Sequence, residues 1–179
     1  TPRSSSAASD VYKRQGPIAD AFFVAFRIPN TFRRLFSEGT FNAAFVPLYS
    51  AELTKGKKPS QKFANEIYNI LIVCLLFLIL IIEIFMPWFV LLIALGFTEN
   101  SEKLELTIYL TRITFPFLFF ISLASFFAAI LNSHNKFALS AAAPIVLNII
   151  LIIILLFGRY LNDDLVKYLA YGVTISGII

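Results

Sequence analysis

From Phe137 to Phe157 the chain runs 21 residues without a charged side chain. About 20 mostly apolar residues in a helix cross the hydrocarbon core of a bilayer. Within that core every backbone N–H and C=O must be satisfied inside the protein, and a helix does this within one segment. Three further runs have the same character: Ile67 to Leu95, broken by Glu83 and Pro87; about Leu106 to Leu131, with Arg112 near its start and Pro116 inside; and one that opens at Leu165 and continues to Ile179. The expected crossing in the first of these is Ile67 to Pro87, with Glu83 near the far interface, Trp88 as an interfacial aromatic and Phe89 to Leu95 along the surface.

Composition agrees. Of 179 residues, 58% are hydrophobic and 15% charged, with a mean hydropathy of +0.78; soluble domains hold about 45–50% and about 25%. The expected class is all-α, a polytopic transmembrane helical bundle. A formal charge of +4 fits basic cytoplasmic loops better than nucleic-acid binding. Residues 1–15 are polar and Ser-rich and lack the apolar core of a signal peptide. They read as a disordered or non-native tail, leaving 16–179 as the transmembrane domain. A last run that stops in mid-span at Ile179 reads as part of a longer protein.

Loop charges orient the segments. Thr54 to Lys62 carries Lys55, Lys57, Lys58 and Lys62 and no acid, so it is placed in the cytoplasm. Glu99 to Glu105 is net acidic and falls outside. The Asn132–Lys136 turn returns inside, and Gly158 to Lys167 lies outside again.

The remaining segment, Ile18 to about Ala51, differs from the rest. It carries Asp20, Arg27, Arg33, Arg34 and Glu38 within an otherwise apolar sequence. Positions seven apart drift only about 20° around a helix, and eighteen residues make about five whole turns. Asp20, Arg27, Arg34 and Glu38 therefore fall on one stripe roughly 40° wide, with Asn30 near its edge and Arg33 off it. Pro29 qualifies this, since proline removes a helical hydrogen bond. Each charge at the bilayer centre costs about 2.5–3.5 kcal/mol on insertion scales, so the stripe should face protein or a water-filled cavity. From residue chemistry alone a polar lining that meets a charged ligand and a salt-bridge seam that joins helices stand level. Arg33 and Arg34 suit a phosphorylated headgroup, because guanidinium binds phosphate bidentately and stays charged when partly desolvated.

Motifs for covalent chemistry are missing from the sequence: it has no Gly-rich phosphate loop, no Walker lysine motif and no HExxH. The single cysteine, Cys74, sits in an apolar run, and the single histidine, His134, in a polar turn. No cofactor or metal is expected.

The run ADAFFVAFRIPNTFRRLFSEGTFNAAFVPLYS (Ala19–Ser50) resembles the second transmembrane helix of the MurJ (MviN) lipid II flippases, with its DAFFVAF, Pro-Asn pair, RR and EGxFxxAFVP. Ile113–Phe137 and Ala141–Ile149 resemble later runs of that family. The resemblance implies part of one lobe of a fourteen-helix transporter of the multidrug/oligosaccharidyl-lipid/polysaccharide exporter superfamily, helices two to five and part of six. It implies a monomeric carrier, not an enzyme, in the bacterial inner membrane. The cargo implied is lipid II, the undecaprenyl-diphosphate-linked disaccharide-pentapeptide, moved from the cytoplasmic to the periplasmic leaflet, with the cell-wall synthesis machinery as a further partner. Asp20, Arg33, Arg34 and Glu38 match charged positions important in the family, Asn30 its Pro-Asn motif, and Arg27 a commonly basic position. On this reading Asp20 pairs with cavity arginines at the outer gate, and Glu38 positions the Arg pair or forms part of the inner gate. Rival readings are an exporter of another polyprenyl-linked oligosaccharide or a drug, a membrane enzyme acting on polyprenyl phosphates, and a membrane scaffold.

Overall fold

The computed structural model describes residues 16, 18–31, 34, 40–97, 100–137, 143–158 and 165–178. Among the described residues the regular structure is helical throughout. The elements are α1 (residues 18–31), α2 (Thr40–Thr54), α3 (Lys57–Ile84), α4 (Met86–Ile93), a single 3-10 turn (Leu95–Phe97), α5 (Ser101–Thr114), α6 (Phe117–Ser133), α7 (Ala143–Phe157) and α8 (Leu165–Ile178).

Proline and capping chemistry set most of the boundaries. Pro87 cannot donate to the carbonyl of Glu83, and α3 stops one residue later, with Phe85 as the hinge into α4. Phe115 and Pro116 separate α5 from α6 in the same way. Gly56 closes the hairpin between α2 and α3 with φ 116° and ψ 173°, a region open essentially to glycine alone. Asn100 caps α5, its side chain accepting from the backbone N–H of Lys103 at 3.0 Å.

These caps correct two expected loops. Within the stretch Thr54 to Lys62, the turn is only Lys55–Gly56, and the helix resumes at Lys57 with Pro59 in its first turn, where a missing N–H costs nothing. α3 thus begins ten residues before the expected crossing at Ile67. In the acidic loop the Asn100 cap starts α5 at Ser101, ahead of Leu106. The third apolar run is two helices rather than one. The segment after Pro87 is helical, with Val90 and Ala94 buried in the cluster that holds Phe115 and Leu118 while Trp88, Leu92 and Leu95 face outward.

α5 and α6 form the central element. α1 meets α5 through Ala21, Ala25 and Leu110, and then Phe115 and Leu118 through Ile28. The two elements therefore run parallel. α3 pairs early residues (Ala64, Leu71) with Phe126 and Ala129 and leads at its far end to Met86 beside Phe115, so it runs antiparallel to α5–α6. α8 is parallel to α5, with Ala170 beside Leu110 and Val173 beside Phe117 and Ile121. The directions alternate as the loop charges require. α3 and the unit α5–α6 are long and apolar enough to cross a membrane, and α3 turns Val73, Phe77, Leu80 and Ile84 outward.

Packing at one end is aromatic. Phe45 stacks between Phe41 and Tyr49, each at 5.4 Å between centroids, and meets Phe126 at 5.2 Å in a tilted pair. Tyr49 reaches on to the turn after α6, where its hydroxyl lies 3.3 Å from Nε2 of His134. The Lys55–Gly56 hairpin and the His134 turn therefore share one end of the bundle. Asp20, Asn100 and Lys103 occupy the other.

Candidate functional site: the charged face of α1

α1 has two faces. Ala21, Ala25, Ile28 and Pro29 are buried against the central helices. Asp20, Phe23, Arg27, Thr31 and, beyond the helix, Arg34 are exposed. On a 100° wheel the centres of these two sets lie roughly 140° apart. Asp20 and Arg27 thus share the exposed side of α1, opposite the side that Ala21, Ala25 and Ile28 bury, and Arg34 beyond the helix is exposed as well. Small residues make the arrangement possible, because Ala21 and Ala25 let α1 approach α5 closely.

Asp20 stands at one end of the stripe. Its Oδ2 accepts from Nζ of Lys103 on α5 at 2.8 Å, with the carboxylate side chain 58% exposed and the lysine 16%. The resemblance points instead to cavity arginines as its partners; among the described residues the carboxylate meets a lysine. Arg27 follows about 10 Å along the axis. Its backbone carbonyl accepts from the Thr31 hydroxyl at 2.8 Å, and its side chain is exposed. Asn30 is half-buried at the edge of the face. Arg34 has helical backbone and an exposed side chain. Arg33 and Glu38 lie outside the described residues, as does the tail 1–15.

Chemically this face combines guanidinium groups with a carboxylate. Guanidinium groups in general can donate in fork geometry to a phosphate or carboxylate, and here the Asp20 carboxylate, bound to Lys103, lies at the far end. Three side chains that position it escaped sequence reasoning. Lys103 was counted only as one charge in an acidic loop. Thr114 and Thr174 donate to backbone carbonyls on neighbouring helices, Thr114 to Ala25 at 3.0 Å and Thr174 to Ile113. A signal for the first was present: Thr107, Thr111 and Thr114 recur on one face of α5, and all three are fully buried.

Residues 15–179 match the family described as Lipid II flippase MurJ. The chain is 43% identical over 169 residues to a probable lipid II flippase MurJ from Rhizobium meliloti (strain 1021), covering 92% of this chain and 32% of the relative. It is 39% identical over 164 residues to one from Rickettsia prowazekii (strain Madrid E), covering 91% and 32%. A solved structure of lipid II flippase MurJ in an inward closed conformation superposes with a TM-score of 0.69 at 30% identity, over 90% of this chain and 34% of that one. The chain spans about a third of the length of the relatives it matches. Matched by the family over residues 15–179 and superposing on a solved member, the chain belongs to the MurJ lipid II flippase family.

Proposed function

We propose that this chain forms part of the N-terminal lobe of a lipid II flippase in the bacterial inner membrane, and that the exposed face of α1 lines the route of the lipid II headgroup. The observation that carries this reading is the orientation of α1. Its apolar side is used up in packing, while Asp20, Arg27 and Arg34 are exposed, Asp20 bridging to Lys103 at one end. Several charges on one face are too costly to leave in lipid, so a polar cavity shared with the remainder of the protein suits them.

In the proposed cycle the Lys55–Gly56 hairpin and the His134 turn lie in the cytoplasm, and the Asn100 end lies in the periplasm. Arg34, assisted by Arg33, receives the lipid diphosphate from the cytoplasmic leaflet through charge-assisted hydrogen bonds. Arg27, further along the stripe, offers the next cationic station. Asp20, held by Lys103, marks the periplasmic end, where a carboxylate repels the diphosphate and favours its release. Glu38 and Asn30 shape the cytoplasmic entrance. The polyprenyl tail stays in lipid while the lobes alternate between inward and outward openings. No bond is made or broken in the cargo.

Binding by purified full-length protein containing this segment tests the reading. Lipid II should bind more tightly than an undecaprenyl-diphosphate-linked O-antigen unit, and Arg27→Ala with Arg34→Ala should weaken it about tenfold or more. Equal binding of the two lipids, or lipid II affinity unchanged in the double variant, would contradict it.

A further inference from the structure

Pro29 is fully buried inside α1, yet the helix runs through it to residue 31. Proline has no backbone N–H, so the carbonyl of Ala25, four residues earlier, loses its helical donor, and the ring pushes that carbonyl outward. In a membrane interior no water replaces the donor, and an unsatisfied carbonyl there costs several kcal/mol. The Thr114 hydroxyl, at the last residue of α5, donates to Ala25 O at 3.0 Å, and both residues are 0% exposed. The same hydroxyl lies 3.3 Å from Thr111 O in its own helix. That longer contact is open to any helical threonine, whereas the one to Ala25 depends on the register between α1 and α5. The adjacent carbonyl, Ile113 O, accepts from the Thr174 hydroxyl of α8. Two neighbouring residues of α5, just before the break at Pro116, thus join α1, α5 and α8 at one level.

We infer that Thr114 is a positioning residue for transport: it supplies, across the α1–α5 interface, the hydrogen bond that Pro29 removes, and so fixes the course of α1 through the proline and the aim of Arg34 beyond it. The hydrogen-bond substitution stands on its own geometry; the consequence for transport rests on the proposed headgroup route.

The test is a double-mutant cycle in the full-length protein, read by the thermal midpoint of the purified protein and by lipid II exposure at the outer face of cells at matched membrane levels. Thr114→Val should lower the midpoint and reduce exposure about fivefold. Thr114→Ser, which keeps the hydroxyl, should hold exposure within about twofold of wild type. In the Pro29→Ala background, where the missing N–H is restored, Thr114→Val should cost less than half as much in both readouts. Equal losses in the two backgrounds would overturn the donor substitution. A coupled midpoint with wild-type exposure in Thr114→Val would overturn the positioning role. An Arg34→Ala control that keeps full exposure would remove the headgroup route and the positioning claim with it, while the midpoint cycle still decides the hydrogen bond.

Discussion

Asp20 and Lys103 are 83 positions apart in the chain, and their charged groups meet at 2.8 Å. The pair joins the first turn of α1 to the first turn of α5, and Thr114 joins the same helices further along, at Ala25. Two fastenings in matching order hold these helices parallel.

The Asp20–Lys103 contact separates fastening from function. Asp20 is more than half exposed, so solvent screening limits the pair to less than about 1 kcal/mol. Lys103→Ala should therefore leave the thermal midpoint of the full-length protein almost unchanged. The swap Asp20→Lys with Lys103→Asp should restore the interhelical contact and still abolish lipid II exposure. Full exposure in the swapped protein would reduce Asp20 to a fastening.

Gly56 supplies the second prediction. At φ 116° and ψ 173° a side chain is strained even though nothing lies within 4 Å of the added Cβ. Gly56→Ala should destabilise the α2–α3 hairpin by about 1–3 kcal/mol, seen as a lower thermal midpoint and faster proteolysis at Lys55. An unchanged midpoint would show that the turn relaxes to another conformation.

Two glycines of α8 should behave oppositely. A Cβ at Gly177 would sit 2.7 Å from Cβ of Phe120, an atom fixed to the α6 backbone, and 2.9 Å from Cδ2 on the buried ring of Phe117. Gly177→Ala should cost about 1–3 kcal/mol by forcing the helices apart. A Cβ at Gly172 would meet Cδ1 of Ile154, the movable tip of a flexible side chain. Gly172→Ala should be neutral or slightly stabilising, because alanine gains about 1 kcal/mol in helix propensity. Thermal midpoints of the two variants in one detergent make the comparison.

The all-helical class was legible because apolar runs of about 20 residues leave a bilayer-crossing chain little else to form. The alternating directions were legible because short polar loops join successive apolar runs, and the clusters that hold Ala21 with Leu110 and Ala64 with Ala129 agree with alternation. Helical spacing separates exposed Asp20 and Arg27 from buried Ala21 and Ala25. Helix ends were harder. Gly56 and Asn100 terminate loops sooner than loop composition suggests, because a single glycine conformation or one side-chain cap suffices to start a helix. Charge and turn residues at Lys57, Lys58 and Pro59 therefore read as loop although they form a first helical turn. Pro29 reads from sequence as the loss of one helical hydrogen bond. The donor that lets α1 continue, Thr114, comes from 89 residues away, and no local pattern ties it to Ala25. Lys103 escaped for the same reason, since its partner is fixed by how α1 docks on α5.

The most direct measurement is lipid II exposure at the periplasmic face of cells that depend on full-length protein carrying Arg34→Ala. That variant should reach the membrane at wild-type level and lower exposure by about tenfold or more, as expected for loss of a charge-assisted contact to a diphosphate. Wild-type exposure at wild-type membrane level would contradict the assignment of the charged face of α1 to the headgroup route.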